Sequence, residues 1–468
     1  MAQYRISGKG SAAIAESIEQ AIGSGTLSPG DLLPPIRELA GELGVSPGTV
    51  AAAYGLTRRR GLTVAERRRG TRVREWRLEH APRARAVRGR GVAGGGHPGA
   101  VDLASGNPDP ALLPDLRPFL ARLADAGAVE TYRPASYGAP PLDTRLGEVA
   151  AKRLAADGVP AAALTCTAGA LDAIHRVLTT SLQPGDRVAV EDPGWPSLLS
   201  GLERWGLVPL PVPLDDEGPD PERLWDALAG GARAVVITRQ AQNPTGAALS
   251  QARATEVVGV LARYPGVLLV EDDHGDGIAG IAGRPGLVSP GSVVAARAAE
   301  GRFAFVRSAS KAYSPDLRLA VLAGDAATVG RVEASVVTTS GWVSHLLQQL
   351  VAALWSDDCV SRTVADAESA YRRRRSALLA ALEEAGVGAH GVSGLNVWVP
   401  LPEGAVADEA SCVAALLAEG WEVSGGAAFR LASPPALRIT AASLPVESAT
   451  DVARAVAAAI AGTGRATY

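Results

Sequence analysis

Lys311 lies in the stretch SASKAYSPDLRLA (308–320), behind Ser308, Ala309 and Ser310 and seven positions before Arg318. A surface helix scatters its lysines, whereas this one stands alone among small residues. A neutral lysine amine adds to an aldehyde and forms a Schiff base. Other groups fit to work beside it are spread along the chain. QNPTGAALS (242–250) places Asn243 in an Asn-Pro-Thr-Gly turn, and VEDDHGD (270–276) places Asp272 and Asp273 after an apolar run. TAGALDAI (167–174) is a small-residue turn leading into a helix, and EDPGWP (191–196) offers one aromatic, Trp195. PALRITA (435–441) carries Arg438.

Most of these groups follow short apolar runs that read as strands. In an open α/β sheet the carboxyl ends of the strands are where ligands bind. The chemistry that needs this set is that of pyridoxal phosphate. A lysine holds the aldehyde, a carboxylate keeps the pyridine nitrogen protonated, and an aromatic ring stacks on the cofactor plane. A helix N-terminus with hydroxyl groups binds the phosphate, and a guanidinium pairs with it bidentately. A further arginine holds a substrate carboxylate.

The elements behind these residues make two patterns. Residues 9–24 carry Ile14, Ile18 and Ile22 on one helical face. IRELAGELGVS (36–46) is a short helix ending at Gly44, and SPGTVAAAYGLTRRRG opens with Ser46 as N-cap and Pro47 at the first helical position. The sequence predicts a helix-turn-helix here, followed by a β-hairpin wing in LTVAERRRGTRV. From Val101 onward, apolar runs at 186–192, 232–238, 266–273 and 302–308 alternate with helical stretches, which predicts an α/β fold on a mostly parallel sheet. Beyond about residue 345 the pattern is a smaller α+β lobe. Residues 77–100, rich in Arg, Gly and Pro, read as a flexible linker. The domains expected are therefore 1–76, a linker 77–100, and 101–468.

A chain of 468 residues suits two or three domains. Its net charge of −3 hides an asymmetry. Residues 1–90 hold 16 Lys and Arg against 8 Asp and Glu, while the remainder holds 30 against 41. A basic segment joined to an acidic globule points to a nucleic-acid reader joined to something else. No apolar run is long enough for a membrane span, and the N-terminus lacks a signal-peptide pattern. Cys166, Cys359 and Cys412 form neither a metal motif nor a disulfide framework, so a cytoplasmic location is expected.

In a helix-turn-helix the start of the second helix reaches base edges in the major groove of double-stranded DNA. Here those residues are Ser46, Pro47, Gly48 and Thr49. Arg37, Arg58, Arg59 and Arg60, with Arg67, Arg68, Arg69 and Arg72 on the wing, are candidates to neutralise phosphates of an operator.

LLPPIRELAGELGVSPGTVAAAY is similar to the winged helix of GntR-type bacterial repressors. It departs from that family at Pro47, where relatives usually carry arginine. Residues 101–460 resemble the fold-type I aminotransferases, with the motifs in the same order. That resemblance implies Lys311 as the Schiff-base lysine, Asp272 as the partner of the pyridine nitrogen, and Asn243 as a donor to the ring hydroxyl. It implies that Trp195 stacks on the ring. Backbone amides of Ala168, Gly169 and Ala170, with Ser308, Ser310 and Arg318, would hold the phosphate. Tyr137 would reach the phosphate across a dimer interface, and Arg438 would bind a substrate carboxylate. Relatives usually read Glu-Asp-Asp-Tyr where this chain has Glu-Asp-Asp-His, so His274 stands in place of a tyrosine that donates to the ring hydroxyl. Pro315-Asp316 also replaces their usual Pro-Gly.

The whole plan resembles the MocR subfamily of GntR-type regulators. It implies a homodimer that binds an operator, holds pyridoxal 5'-phosphate, and senses a small amino compound or amino acid through the aldimine at Lys311, with weak or no transaminase turnover. Two other readings stay open: an active aminotransferase with a DNA-binding arm, and a cofactor-free regulator that uses its large domain as a dimerisation scaffold.

Overall fold

The computed structural model describes residues 6–23, 26–28, 30–59, 62–66, 70–73, 99–124, 136–281, 291–297, 301–404 and 406–462. The chain divides into two compact units, 1–82 and 83–468. Most of the expected linker, residues 77–98, lies outside the described residues.

The smaller unit is organised by one apolar stripe on each helix. Ile14 and Ile18 of α1 (Ser11–Gly23) are buried against Leu39 and Ala40 of α2 (Ile36–Leu43) and Val50, Ala53 and Tyr54 of α3 (Pro47–Arg59). Gly44 ends α2 in the left-handed region, at φ 64°, where glycine carries no Cβ penalty. The Ser46 hydroxyl accepts from the Thr49 amide at 3.1 Å and caps α3. The wing follows as β1 (Thr63–Glu66) and β2 (Gly70–Val73), antiparallel, with Thr63 opposite Val73.

The larger unit begins with β3 (Val101–Leu103). Its main sheet contains β4 (Ala163–Thr167), β5 (Arg187–Asp192), β6 (Val208–Asp215), β7 (Gly218–Pro219), β8 (Ala232–Thr238), β9 (Leu268–Asp273), β10 (Phe303–Ser308) and β11 (Ala320–Gly324). Their order across the sheet is β4-β11-β10-β9-β8-β5-β6-β7. From β10 to β6 the neighbours run parallel, while β11 is antiparallel to both β10 and β4. Successive side chains feed opposite faces: Val235, Leu269 and Phe305 enter one core, and Ala234, Val270 and Val306 enter the other. Burial on both faces explains why these strands read as continuous apolar runs.

The smaller lobe carries β12 (Asn396–Pro400), β13 (Trp421–Gly425) and β14 (Ala436–Thr440), in the order β12-β14-β13-β3. β3 lies far upstream in sequence yet pairs with β13 in parallel, Val101 opposite Trp421. The lobe is therefore closed by a strand from the other end of the unit.

Gly246 shows how tightly the lobe packs on the Asn243 turn. Its φ is 71°, and an added Cβ would stand 2.8 Å from the Ser393 carbonyl oxygen and 3.0 Å from that of Asn396. Gly246→Ala should cost about 2–5 kcal/mol, from left-handed strain and overpacking together. Gly330→Ala, on an exposed helical face with nothing within 4 Å, should be neutral or slightly stabilising. Urea denaturation of both variants checks the pair, and equal midpoints would contradict the packing described.

Candidate functional site

Lys311 follows β10 and a short turn, half-buried, and its amine donates to the Gly106 carbonyl at 2.6 Å. Burial, then the guanidiniums of Arg438 and Arg318, push its pKa down to about 8. Lowered proton affinity makes the amine a better nucleophile near neutral pH. The amine opens into a cavity of about 240 Å³ lined by Trp195, Asn243, His274, Ser308, Ser310 and Arg318, among others. The residues expected at the strand ends are thus brought together, with Trp195 beside Asn243 and Asp272 in an adjoining recess.

Asp272, the last residue but one of β9, is buried. Its Oδ2 lies 2.9 Å from Nδ1 of His274, while Oδ1 has no hydrogen-bond partner among the described residues. A buried, unpartnered carboxylate oxygen marks an acceptor waiting for a donor. The other ring nitrogen of His274, Nε2, is 3.0 Å from the Ala241 carbonyl. Both nitrogens are therefore engaged within the protein. Burial lowers the histidine's proton affinity, but the Asp272 carboxylate outweighs it and the pKa is raised.

Arg438 in β14 is buried, and burial brings its pKa down to about 10. It donates to the Ala104 carbonyl, to the Ser424 hydroxyl at 3.3 Å and to Asn243 Oδ1 at 3.4 Å. Its guanidinium lies 4.9 Å from the Phe429 ring centroid. Gly106 makes room for it, since a Cβ there would stand 2.9 Å from Nη1.

The opposite end of the cavity suits a phosphate. Arg318 takes the left-handed region at φ 41°, and its guanidinium lies against Gly169, where a Cβ would stand 3.0 Å from Nη2. Ser308 Oγ accepts from the Ser310 amide, and the buried Ser310 Oγ has no partner among the described residues. The amides expected of Ala168 and Gly169 are used internally, by Asp172 Oδ2 at 3.0 Å and by the Thr167 carbonyl at 2.8 Å. The helix Ala170–Thr179 instead opens on the cavity with Ala170 and Leu171. Asp272 Oδ1, Ser310 Oγ, Trp195 and the cradle between Arg318 and Gly169 together fit pyridoxal phosphate.

Tyr137 does not enter the cavity of its own chain. It is almost fully exposed, and its ring meets Trp342 edge-on at 5.9 Å. Several lining residues carried no sequence signal: Gly106, Asn107, Ile278, Leu395 and Asn396. Asn396 opens a strand and Gly106 sits in a polar turn, so only tertiary pairing reveals them. Glu191 is another. It accepts from the Thr238 amide and hydroxyl, both at 2.8 Å, and from Gln242 at 3.2 Å, while burial pushes its pKa up to about 7.

In the smaller unit Ser46, Pro47 and Gly48 are exposed at the start of α3, as are Arg37 and Arg58. Thr49 is partly covered, and its hydroxyl is shared with Ser46 at 2.8 Å. Arg72, on β2, is partly covered and donates to the Gly30 carbonyl at 3.2 Å. The Arg59 side chain and residues Arg60, Arg67, Arg68 and Arg69 lie outside the described residues.

Comparison with known proteins agrees with both units. Residues 98–456 match the family described as aminotransferase class I and II, which is pyridoxal phosphate-dependent, and residues 11–73 match the gntR family of bacterial regulatory proteins. The chain is 40% identical over 441 residues to the vitamin B6 salvage pathway transcriptional repressor PtsJ of Salmonella typhimurium, covering 94% of this chain and 96% of that protein. It is 29% identical to the transcriptional regulator TauR of Rhodobacter capsulatus, covering 88% of each. Among solved structures, the kynurenine aminotransferase of Pyrococcus horikoshii matches with a TM-score of 0.69 and 24% identity, over 79% of this chain and 92% of that one, and so shares the fold. With a GntR winged helix, an aminotransferase unit and a relative of the same plan over almost its whole length, the chain belongs to the MocR subfamily of GntR-type bacterial transcription regulators.

Proposed function

We propose that this regulator binds an operator as a homodimer in the cytoplasm and that its affinity for DNA is set by pyridoxal phosphate held at Lys311. The observation that carries the reading is the company Lys311 keeps. A lysine of lowered proton affinity shares its cavity with the unpartnered Ser310 Oγ, and Asp272 Oδ1 is unpartnered in the recess beside it. When bound, the cofactor supplies a carbonyl that exchanges amines and a ring that withdraws electrons. Lys311 would hold the carbonyl end, Asp272 would accept from the ring nitrogen, Asn243 would meet the ring hydroxyl, and Arg318 with Ser308 and Ser310 would bind the phosphate.

Beside Lys311 the cavity would also admit a small amino compound, which the site would read. Arg438 stands where the carboxylate of an amino acid would pair. The name of the relative PtsJ supports genes of vitamin B6 handling as the targets. The exposed Tyr137, whose ring meets the partly covered Trp342, supports a face that a second copy covers.

Two measurements test this reading. Brief exposure to pyridoxal phosphate, then borohydride reduction and mass spectrometry, reports attachment at Lys311. The neutral fraction of its amine rises about tenfold per pH unit while pH is below the pKa. Labelling should therefore climb to about pH 8 and then level off. Labelling that keeps rising towards about pH 10, as for an ordinary lysine, would contradict the site described. DNA binding is tested by fluorescence anisotropy of the full chain on DNA upstream of its own gene, across salt concentrations. Arg37→Ala and Arg58→Ala should each weaken binding and lower the log–log salt slope by about two, one phosphate contact from each protomer. Unchanged slopes in both would remove α2 and α3 from the DNA interface.

A further inference from the structure

We propose that His274 is a positioning residue: an imidazolium that ties Asp272 to the Ala241 carbonyl and leaves the ring hydroxyl of the cofactor to Asn243 alone. This rests on the cofactor reading above and adds a role that the aminotransferase resemblance does not give to this position.

A carbonyl oxygen only accepts, so Nε2, 3.0 Å from the Ala241 oxygen, carries a hydrogen. Nδ1 lies 2.9 Å from Asp272 Oδ2, which leaves two arrangements. Either the carboxylate is ionised and the ring is a cation, or the carboxyl is protonated and the ring is neutral. The second oxygen decides between them. Oδ1 is buried, has no partner among the described residues, and belongs to a recess shared with Trp195 and Asn243. A protonated pyridine nitrogen at Oδ1 needs an anionic acceptor, and an anionic Asp272 makes His274 the cation. The charged groups around the ring are Asp272 on β9, Glu191 at the end of β5, and Lys311 after β10. The Asp272 carboxylate favours the cation, and Lys311 opposes it.

The second bond does a different task. Ala241 has φ 54°, a left-handed conformation that an alanine does not choose for itself. It is held at both ends. Its amide donates to Ser393 Oγ at 2.8 Å, and its carbonyl accepts from His274. Ala241 comes two residues before Asn243, so its conformation sets how the Asn243 turn leaves β8. One imidazolium therefore fixes both the acceptor for the ring nitrogen and the backbone that aims the donor for the ring hydroxyl. A tyrosine at 274 has one O–H and cannot bridge two acceptors in this way.

The test uses the full chain labelled with 15N-histidine, its six histidines distinguished by His274→Gln. At pH 8, NMR should show both ring nitrogens of His274 protonated, with and without pyridoxal phosphate. In Asp272→Asn the ring should lose its proton by pH 8. A singly protonated ring at pH 8 in the wild-type chain, or a spectrum unmoved by Asp272→Asn, would overturn the proposal. In parallel, His274→Phe should raise the dissociation constant for pyridoxal phosphate at least tenfold, and wild-type affinity in that variant would overturn it as well. A wild-type chain that takes up no pyridoxal phosphate would sink the cofactor reading by itself, and the spectrum of the free chain would still decide the state of His274.

Discussion

Two neighbouring carboxylates at the end of β9 are both buried, and a buried charge is tolerated only where it is partnered. Strand alternation sends them to opposite faces. Asp273 receives Arg307 at 2.5 and 3.0 Å, Arg239 at 3.1 Å and Gln240 at 2.8 Å. Burial works against its ionisation, yet Arg307 and Arg239 hold its pKa below the usual carboxylate value. The same arginines reach Asp157 at the end of the helix Thr144–Ala156, so the network joins three strands to a helix behind the sheet. Asp272 receives one protein partner and keeps one oxygen free. The fully satisfied carboxylate fixes the strand ends, and the half-satisfied one is available to a ligand.

The rest of the site follows from that division. With β8, β9 and β10 locked in parallel register, their carboxyl ends deliver Asn243 and Lys311 to one cavity and Asp272 to the recess that adjoins it. The lobe built on β12, β13, β14 and β3 supplies the other wall, through Asn396 and Gly106. Asp192 at the end of β5 ties the two parts, accepting from the amides of Leu431, Ala432 and Ser433. Lys311 reaches across to the Gly106 carbonyl. A ligand at Lys311 therefore touches both parts of the unit, the arrangement needed if its binding energy is to favour one packing over another.

Much of this was legible in the sequence, for identifiable reasons. β5, β8, β9 and β10 are covered on both faces, so they stand out as apolar runs, and the residues just past them became the candidates. The helix-turn-helix announced itself through Gly44 and Ser46, whose local chemistry does not depend on the rest of the fold. What stayed hidden depends on distant pairing. β3 is three residues long, and its partner β13 lies far along the chain. Gly106 and Asn396 line the cavity only because that pairing brings them there. The engagement of both His274 nitrogens was not readable, because the second acceptor exists only through the left-handed backbone of Ala241. The bond from the Ala168 amide to Asp172, one helical turn on, is hidden for a similar reason.

The central claim is that occupancy of the Lys311 cavity changes DNA binding by the same chain. The most direct measurement is the affinity of the full chain for the DNA upstream of its own gene, at fixed salt, with and without saturating pyridoxal phosphate, beside Lys311→Ala. The account predicts a change of about fivefold or more in the wild-type chain, the usual scale of coupling between two sites, and none in Lys311→Ala. Equal affinity with and without the cofactor, in a wild-type chain shown to have bound it, would contradict the account.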